Sequence, residues 1–332
     1  MRFKYVIYPD RELYPFFMEE IRSVIMNAKV MLEPKKINNE KLFVESNEDI
    51  SRSILRLASA SKAFLLIDDI ARIHELLLSG FCSRIGHYIP YTIRFLRFHE
   101  NVCEARKILR EIIQMSPLVR VSLNAPQLEL DLLPEGLGVR VPVGRDVALS
   151  RDPKYRPYAP PATMSSLLSR LLVNLTGLSP GQTFLDPFCG TGSLALEAAD
   201  MGLKVICIDI NPKAIEAAEM LLHEYYGFKE VNLRVGDARH LQLEDDSIDG
   251  IATDPPYGIS SSTFGAVLID LYRDFLLEAY RILRSNSRLV ICHTQSVPIG
   301  KLAAEIGFDY ELMFPMKVHS RLTRFISILR AR

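Results

Sequence analysis

The chain reads as an α/β protein, a mostly parallel, doubly wound sheet ending in an antiparallel strand pair, preceded by a less regular α+β half. Three observations point there. From residue 164 onward, short apolar runs bounded by turn residues alternate with helical stretches, the pattern of strand–helix–strand winding. The last two apolar runs follow each other without a helix, so they must pair antiparallel. Between the halves lies Arg151-Asp152-Pro153-Lys154-Tyr155-Arg156-Pro157-Tyr158-Ala159-Pro160-Pro161, a proline-rich, basic linker that can continue neither helix nor sheet.

The elements follow in order. In the second half an amphipathic helix is predicted over 164–175, and strands over 183–186, 204–209, 231–235, 248–253, 288–293, 310–314 and 325–329. Asn211 is a helix cap with Pro212 just inside it, and Gly227 is a stop signal. In the first half, strand-like runs at 3–8 and 91–95 alternate with helical patterns near 16–26 and 102–114. Residues 128–141 alternate like a hairpin around Pro134-Glu135-Gly136-Leu137-Gly138. These runs suggest two small units meeting near residues 60–85.

Composition excludes more than it names. At 332 residues and 48% hydrophobic content the chain can bury two or three cores. No apolar stretch is long enough to span a bilayer, and Met1-Arg2-Phe3-Lys4-Tyr5 lacks the apolar core of a signal peptide, so a cytoplasmic protein without a membrane partner is expected. Net charge is zero, which counts against a protein that coats nucleic acid along its whole surface. Cys82, Cys103, Cys189, Cys207 and Cys292 are scattered without a Cys-x-x-Cys pair, so neither a disulfide framework nor a metal site is expected.

Two motifs carry chemistry. Asp186-Pro187-Phe188-Cys189-Gly190-Thr191-Gly192-Ser193 joins the first strand of the second half to a helix, and Asp209, followed by Ile210, ends the next strand. The glycines let backbone approach a ligand, and an acid on the second strand can bind ribose hydroxyls. Gly190-x-Gly192-x-x-Ala195 alone would also suit a dinucleotide. Charge separates the two, because a pyrophosphate beside Asp186 would be repelled by a few kcal/mol at ~4 Å and an effective dielectric of ~20. The sulfonium and ammonium of S-adenosylmethionine would instead be attracted. Asp237, in Gly236-Asp237-Ala238 after the third strand, adds an acceptor for the adenine amine. One such Asp is commonly just a helix cap or a solvated strand end. Four in phase, Asp186, Asp209, Asp237 and Asp254, favour the methyl donor over a nicotinamide.

The second motif is Asp254-Pro255-Pro256-Tyr257-Gly258, delivered at the end of an apolar strand, where open α/β sheets place their chemistry. The Asp254 carboxylate and the adjacent Pro255 carbonyl can accept both hydrogens of a planar exocyclic amine, Pro256 stiffens the turn, and Tyr257 offers a stacking face. A proline-rich turn capping a strand is the bland alternative. No cysteine stands in this motif, which counts against methylation through a covalent adduct.

With these motifs the chain resembles class I methyltransferases carrying the Asp-Pro-Pro-Tyr signature, and its linker and first half resemble the archaeal tRNA guanine-N2 methyltransferases that modify position 10. The anchors are Asp186-Pro-Phe-Cys-Gly-Thr-Gly, Asp254-Pro-Pro-Tyr-Gly and the linker with Arg156-Pro157-Tyr158 and Met164. The resemblance implies a Rossmann-like, seven-stranded catalytic sheet over 164–332, a ferredoxin-like unit over 1–65, a THUMP-like RNA-binding domain over 66–145, matched around 91–141, and a linker over 146–163. It implies S-adenosylmethionine as cofactor, tRNA as partner and Asp254, Pro255, Pro256 and Tyr257 as the catalytic set. Where relatives carry His-Pro the linker has Pro160-Pro161, and where some carry a basic residue Ile259 follows the catalytic motif. Phosphate contacts are expected from Arg94, Arg97, Lys107, Arg110, Arg151, Lys154 and Arg156, the linker residues foremost. His99 is expected to be structural. Adenine N6, cytosine N4 and ribosomal guanine are alternative substrates, and a non-catalytic RNA-binding protein on a retained fold is the alternative of another class. No Ser-Gly-Gly-x-Asp-type loop argues for tRNA thiolation. A monomer is expected, with a small activating partner subunit kept open.

Overall fold

The computed structural model describes residues 3–25, 37, 38, 41–67, 92–95, 102–115, 120, 121, 128–160, 163–258, 268–319 and 322–332. They divide into two compact units, one of residues 1–14, 28–55 and 59–144, the other of 15–27, 56–58 and 145–332.

The first unit is built on an eight-stranded sheet of β1 (Phe3–Pro9), β2 (Ile37–Asn38), β3 (Lys41–Ser46), β4 (Ala60–Ile67), β5 (Thr92–Phe95), β6 (Arg120–Val121), β7 (Leu128–Leu133) and β8 (Gly136–Val141), in the order β2-β3-β1-β4-β8-β7-β5-β6. Tyr5, Val6 and Ile7 of β1 are all buried, with Val44 and Leu65 opposite Tyr5, Leu42 opposite Ile7, and Phe64 opposite Val6. The expected hairpin is present as β7 and β8, with Leu130 opposite Val139. The boundary expected between residues 65 and 66 falls inside β4, which pairs with β1 on one side and β8 on the other. The strands of the two segments thus share one sheet. Helix α1 (Tyr14–Val24) is mostly part of the second unit, while α2 (Ser51–Ile54) and α3 (Val102–Met115) lie within the first.

The second unit holds a seven-stranded sheet of β9 (Thr183–Asp186), β10 (Lys204–Asp209), β11 (Asn232–Val235), β12 (Ile248–Thr253), β13 (Leu283–His293), β14 (Asp309–His319) and β15 (Leu322–Arg330), in the order β11-β10-β9-β12-β13-β15-β14. Strands β9 to β13 run parallel, and β15 pairs antiparallel with both β13 and β14. Its helices are α4 (Gly144–Ser150), α5 (Ser166–Leu175), α6 (Ser193–Asp200), α7 (Pro212–Glu219), α8 (Leu268–Ile282) and α9 (Ile299–Ile306). The core follows from strands with few polar positions: Leu185, Ile251, Leu289 and Ile291 are buried on one face with Phe275, Leu276 and Ala279 of α8 laid over them, and Phe184, Cys207 and Ile328 are buried on the other.

Local chemistry fixes the helix starts. Ser165 caps α5 by accepting from Leu168 N, Asn211 caps α7 by accepting from Lys213 N, and Pro212 occupies its first turn. The last strands are longer than their apolar runs. β14 and β15 keep pairing through Met316↔Arg324 and Lys317↔Thr323, since a hairpin ladder needs backbone and not hydrophobicity. The order of strands reverses between β9, whose chain continues to β10, and its other neighbour β12. A crevice outside the strand C-termini at such a switch point is where open sheets bind ligands. No described helix is long and apolar enough to cross a membrane.

Candidate active site

The turn after β9 is held by side chains of the neighbouring strands. Asp186 is 1% exposed, and its Oδ1 accepts from Phe188 N at 3.2 Å and from the Thr253 hydroxyl of β12 at 2.7 Å. Asp209, at the end of β10, accepts from Gly190 N at 2.8 Å and Asn211 N at 2.9 Å. Gly190 and Gly192 both adopt left-handed conformations, φ +50° and +83°. Gly192 has a second reason, as a Cβ there would stand 3.0 Å from Leu222 Cδ1 and 3.3 Å from Ala218 Cβ. At Gly190 a Cβ would meet nothing within 4 Å, so this turn faces open space. Pro187 is buried, Phe188 packs edge-on against Phe275 with centroids 5.2 Å apart, and Thr191 is half-buried.

The scattered-cysteine expectation is corrected here. Cys189 and Cys207 form a disulfide, with Cα atoms 5.6 Å apart. The reason is register: Cys207 of β10 pairs with Asp186 of β9, and Cys189 N donates to Ile208 O at 3.0 Å, so a sequence separation of 18 becomes adjacency.

The remaining cofactor candidates line the same edge. Ile210 is 39% exposed beside Asp209, an apolar surface in an acidic setting. Asp237 is held by Arg239 at 2.6 Å, and that hydrogen bond keeps its carboxyl below the usual range. Ala238 is buried in the core beneath. Asp186 differs: burial pushes its carboxyl up to about 7, the nearby carboxylates of Asp209 and Asp254 add to this, and its two hydrogen bonds oppose it. An open glycine turn, an acid at the ribose position, an exposed Ile and a further acid suit a cofactor with an adenosine and a cationic end.

At the end of β12 the Asp254-Pro255-Pro256-Tyr257 turn is assembled with a partner that sequence reasoning missed. Asp254 Oδ1 accepts from the Tyr257 hydroxyl, and Asp254 Oδ2 lies 3.3 Å from Arg324 Nη2. Arg324 Nε also donates to the Tyr257 hydroxyl at 2.7 Å, with the guanidinium 5.7 Å from the ring centroid. Burial raises the Asp254 carboxyl, while Arg324 and the Tyr257 hydrogen bond pull it back toward the ionised form. Pro255 is buried and Pro256 half-buried, which fixes the turn. Arg324 lies on β15, and the only signal in sequence was an arginine placed directly before an apolar run, Arg324-Phe325-Ile326. Thr253, one residue before Asp254, ties this motif to Asp186, so the two sites share one hydrogen bond.

The expected phosphate contacts divide. Lys107 and Arg110 are exposed on α3, and Lys154 is exposed with its ammonium 4.8 Å over the Tyr155 ring. Arg94 sits on β5, and Arg97 and His99 lie outside the described residues. Arg151 and Arg156 are corrected: they are 8% and 7% exposed and face inward. Arg151 Nη2 binds Glu197 at 2.7 Å and its Nη1 binds Asp200 at 2.7 Å, and Arg170 shares both acids at 2.9 Å. Arg156 donates to Ser193 Oγ at 2.7 Å, Ser166 Oγ at 2.9 Å and the Arg151 carbonyl at 2.9 Å. Glu197 is fully buried, and a buried carboxylate requires a cation beside it, which Arg151 and Arg170 supply by turning inward and away from any phosphate at the surface.

A seven-stranded sheet with one antiparallel hairpin, acids at successive strand ends and an Asp-Pro-Pro-Tyr turn beside the glycine turn defines a class I, S-adenosylmethionine-dependent methyltransferase fold. Residues 153–324 match the family described as UPF0020: RMKL-like, methyltransferase domain, and the chain belongs to that family. It is 35% identical over 241 residues to the tRNA (guanine(10)-N2)-dimethyltransferase of Pyrococcus abyssi, covering 70% of each chain. It is 38% identical over 177 residues to the enzyme of the same name from Methanothermobacter thermautotrophicus, spanning 53% of this chain and 52% of that relative. Among solved structures the fold is similar to that of TrmN from Thermus thermophilus, with a TM-score of 0.51, 20% identity and coverage of 99% of this chain and 100% of that one.

Proposed function

We propose that this enzyme methylates the exocyclic N2 amine of a guanosine in tRNA, at position 10, giving N2-methyl- and N2,N2-dimethylguanosine. The observation that carries the reading is the Asp254 carboxylate at the end of β12, joined through Thr253 to the cofactor turn of β9. The names of the relatives supply tRNA, guanine and the position.

Asp186, Gly190, Thr191, Gly192, Asp209, Ile210 and Asp237 would hold S-adenosylmethionine, which supplies an electrophilic methyl group on a sulfonium. The chain's own residues do the rest. Asp254 and the Pro255 carbonyl accept the two N2 hydrogens, which turns the nitrogen lone pair out of the guanine ring system and toward the methyl group. Orientation and a hydrogen-bond acceptor matter more here than strong basicity, because the lone pair is otherwise delocalised. Tyr257 releases Asp254 and stacks on the base, at about 1–3 kcal/mol per stacked base, which offsets the few kcal/mol of unstacking. The first unit is an RNA-binding, THUMP-like domain, with Arg94, Lys107 and Arg110 contributing phosphate contacts and Lys154 doing so from the linker. A tRNA substrate implies a cytoplasmic enzyme, acting as a monomer or with a small partner subunit.

The test is transfer of labelled methyl groups to unmodified tRNA, ribosomal RNA and DNA by wild-type enzyme and Asp254→Ala. Label in tRNA alone, lost in the variant, supports the reading. Label in DNA or ribosomal RNA in preference to tRNA rejects it.

A further inference from the structure

We propose that Arg324 reads the guanine O6, so that Asp254 and Arg324 together present one three-point edge that accepts guanine and refuses adenine and cytosine. The inference rests on the N2-guanine reading above and concerns how that site chooses its base.

Along its Watson–Crick edge guanine offers N2–H, N1–H and then the O6 acceptor. A matching surface must offer two acceptors and then a donor, as cytosine does in a base pair. The structure supplies the three groups side by side: Asp254 Oδ1, Asp254 Oδ2, and Arg324 Nη2 at 3.3 Å from Oδ2. Asp254 Oδ1, whose partner is the Tyr257 hydroxyl, takes N2–H when Tyr257 turns away. Oδ2 then meets N1–H, and the guanidinium meets O6.

Other bases with an exocyclic amine fail at the middle point. With adenine N6 or cytosine N4 on Oδ1, an unprotonated ring nitrogen faces Oδ2, acceptor against acceptor. Adenine also sets a carbon-bound hydrogen against the guanidinium. One carboxylate oxygen and a backbone carbonyl on the amine would take any of the three bases, so the choice begins where Asp254 Oδ2 meets the ring nitrogen and Arg324 meets the group beyond it. Position supports the role: Arg324 is on β15, its side chain is 13% exposed, and its ion pair with Asp254 Oδ2 keeps the guanidinium beside the carboxylate after Tyr257 has turned away. A planar fork with several donors can hold Asp254 and still reach a base acceptor.

The experiment measures kcat/KM on two tRNAs carrying either guanosine or 2,6-diaminopurine riboside at the methylated position. The analogue keeps the N2 amine but replaces O6 by an amino group and N1–H by a bare nitrogen. Wild-type enzyme should prefer guanosine on the order of 10- to 100-fold. Arg324→Gln should lose most of its rate on guanosine and much less on the analogue, so the preference narrows to the part that Asp254 Oδ2 alone supplies. Arg324→Lys keeps the charge but not the fork, and its preference should fall between the two; it carries the test if Arg324→Gln no longer binds S-adenosylhomocysteine. Equal loss on both substrates would reduce Arg324 to a support for Asp254 and overturn the proposal, as would a wild-type enzyme without preference. A wild-type enzyme that methylates neither tRNA but does modify adenine or cytosine would instead overturn the N2-guanine reading itself.

Discussion

At the scale of single residues, two carboxylates with different environments divide the work. Asp254 stays near the surface of the crevice with a cation and a hydroxyl on it, whereas Asp186 lies underneath, uncharged when its carboxyl, pushed up to about 7, holds its proton. Because the folded-state value is raised, Asp186 favours the fold most below its unfolded value near 4 and progressively less as pH climbs to about 7. Cofactor binding should run the other way. A cationic ligand prefers the ionised Asp186, so affinity for S-adenosylhomocysteine, which keeps the ammonium, should rise between pH 6 and 8 and release a proton. Calorimetry in buffers of different ionisation heat measures that proton, and in Asp186→Asn the rise should vanish. Tyr257 makes a separate point: Tyr257→Phe keeps the stacking face and should cost less than about tenfold in kcat/KM, while Tyr257→Ala, losing about 1–3 kcal/mol of stacking, should cost more.

Between residues and the whole lie the elements, and here the sequence was uneven as a guide. β9, β10 and β12 were legible to the residue, because buried parallel strands are apolar runs with abrupt ends. The cofactor turn and the Asp254 motif were legible for the same reason, being the polar residues at those ends. Arg324 was not, since it stands 67 residues beyond Tyr257 and only the antiparallel return of β15 brings them together. The inward turn of Arg151 and Arg156 was equally hidden. A basic linker looks like an RNA surface until the acids of α6, Glu197 and Asp200, are seen beneath it. That cluster gives an element-scale expectation: Glu197→Ala should remove the buried carboxylate that Arg151 and Arg170 share, leave both to Asp200, and cost about 3–5 kcal/mol of stability, read by chemical denaturation. Lys154→Ala should leave stability unchanged.

For the whole molecule, the charge balance limits how RNA can be held. With 40 basic and 40 acidic residues, no general attraction to phosphate is available, and binding must come from local cations. Lys107, Arg110 and Lys154 are exposed, so changing each to Ala should weaken tRNA binding and lower the dependence of affinity on salt by about one ion per residue. Arg151→Ala should act through stability instead, visible as a lower melting temperature. The account as a whole turns on which atom of which base receives the methyl group. Mass spectrometry of nucleosides from unmodified tRNA, after incubation with the enzyme and labelled S-adenosylmethionine, decides this directly. N2-methyl- or N2,N2-dimethylguanosine, absent with Asp254→Ala, is the expected result. Label in N6-methyladenosine or N4-methylcytidine would contradict it.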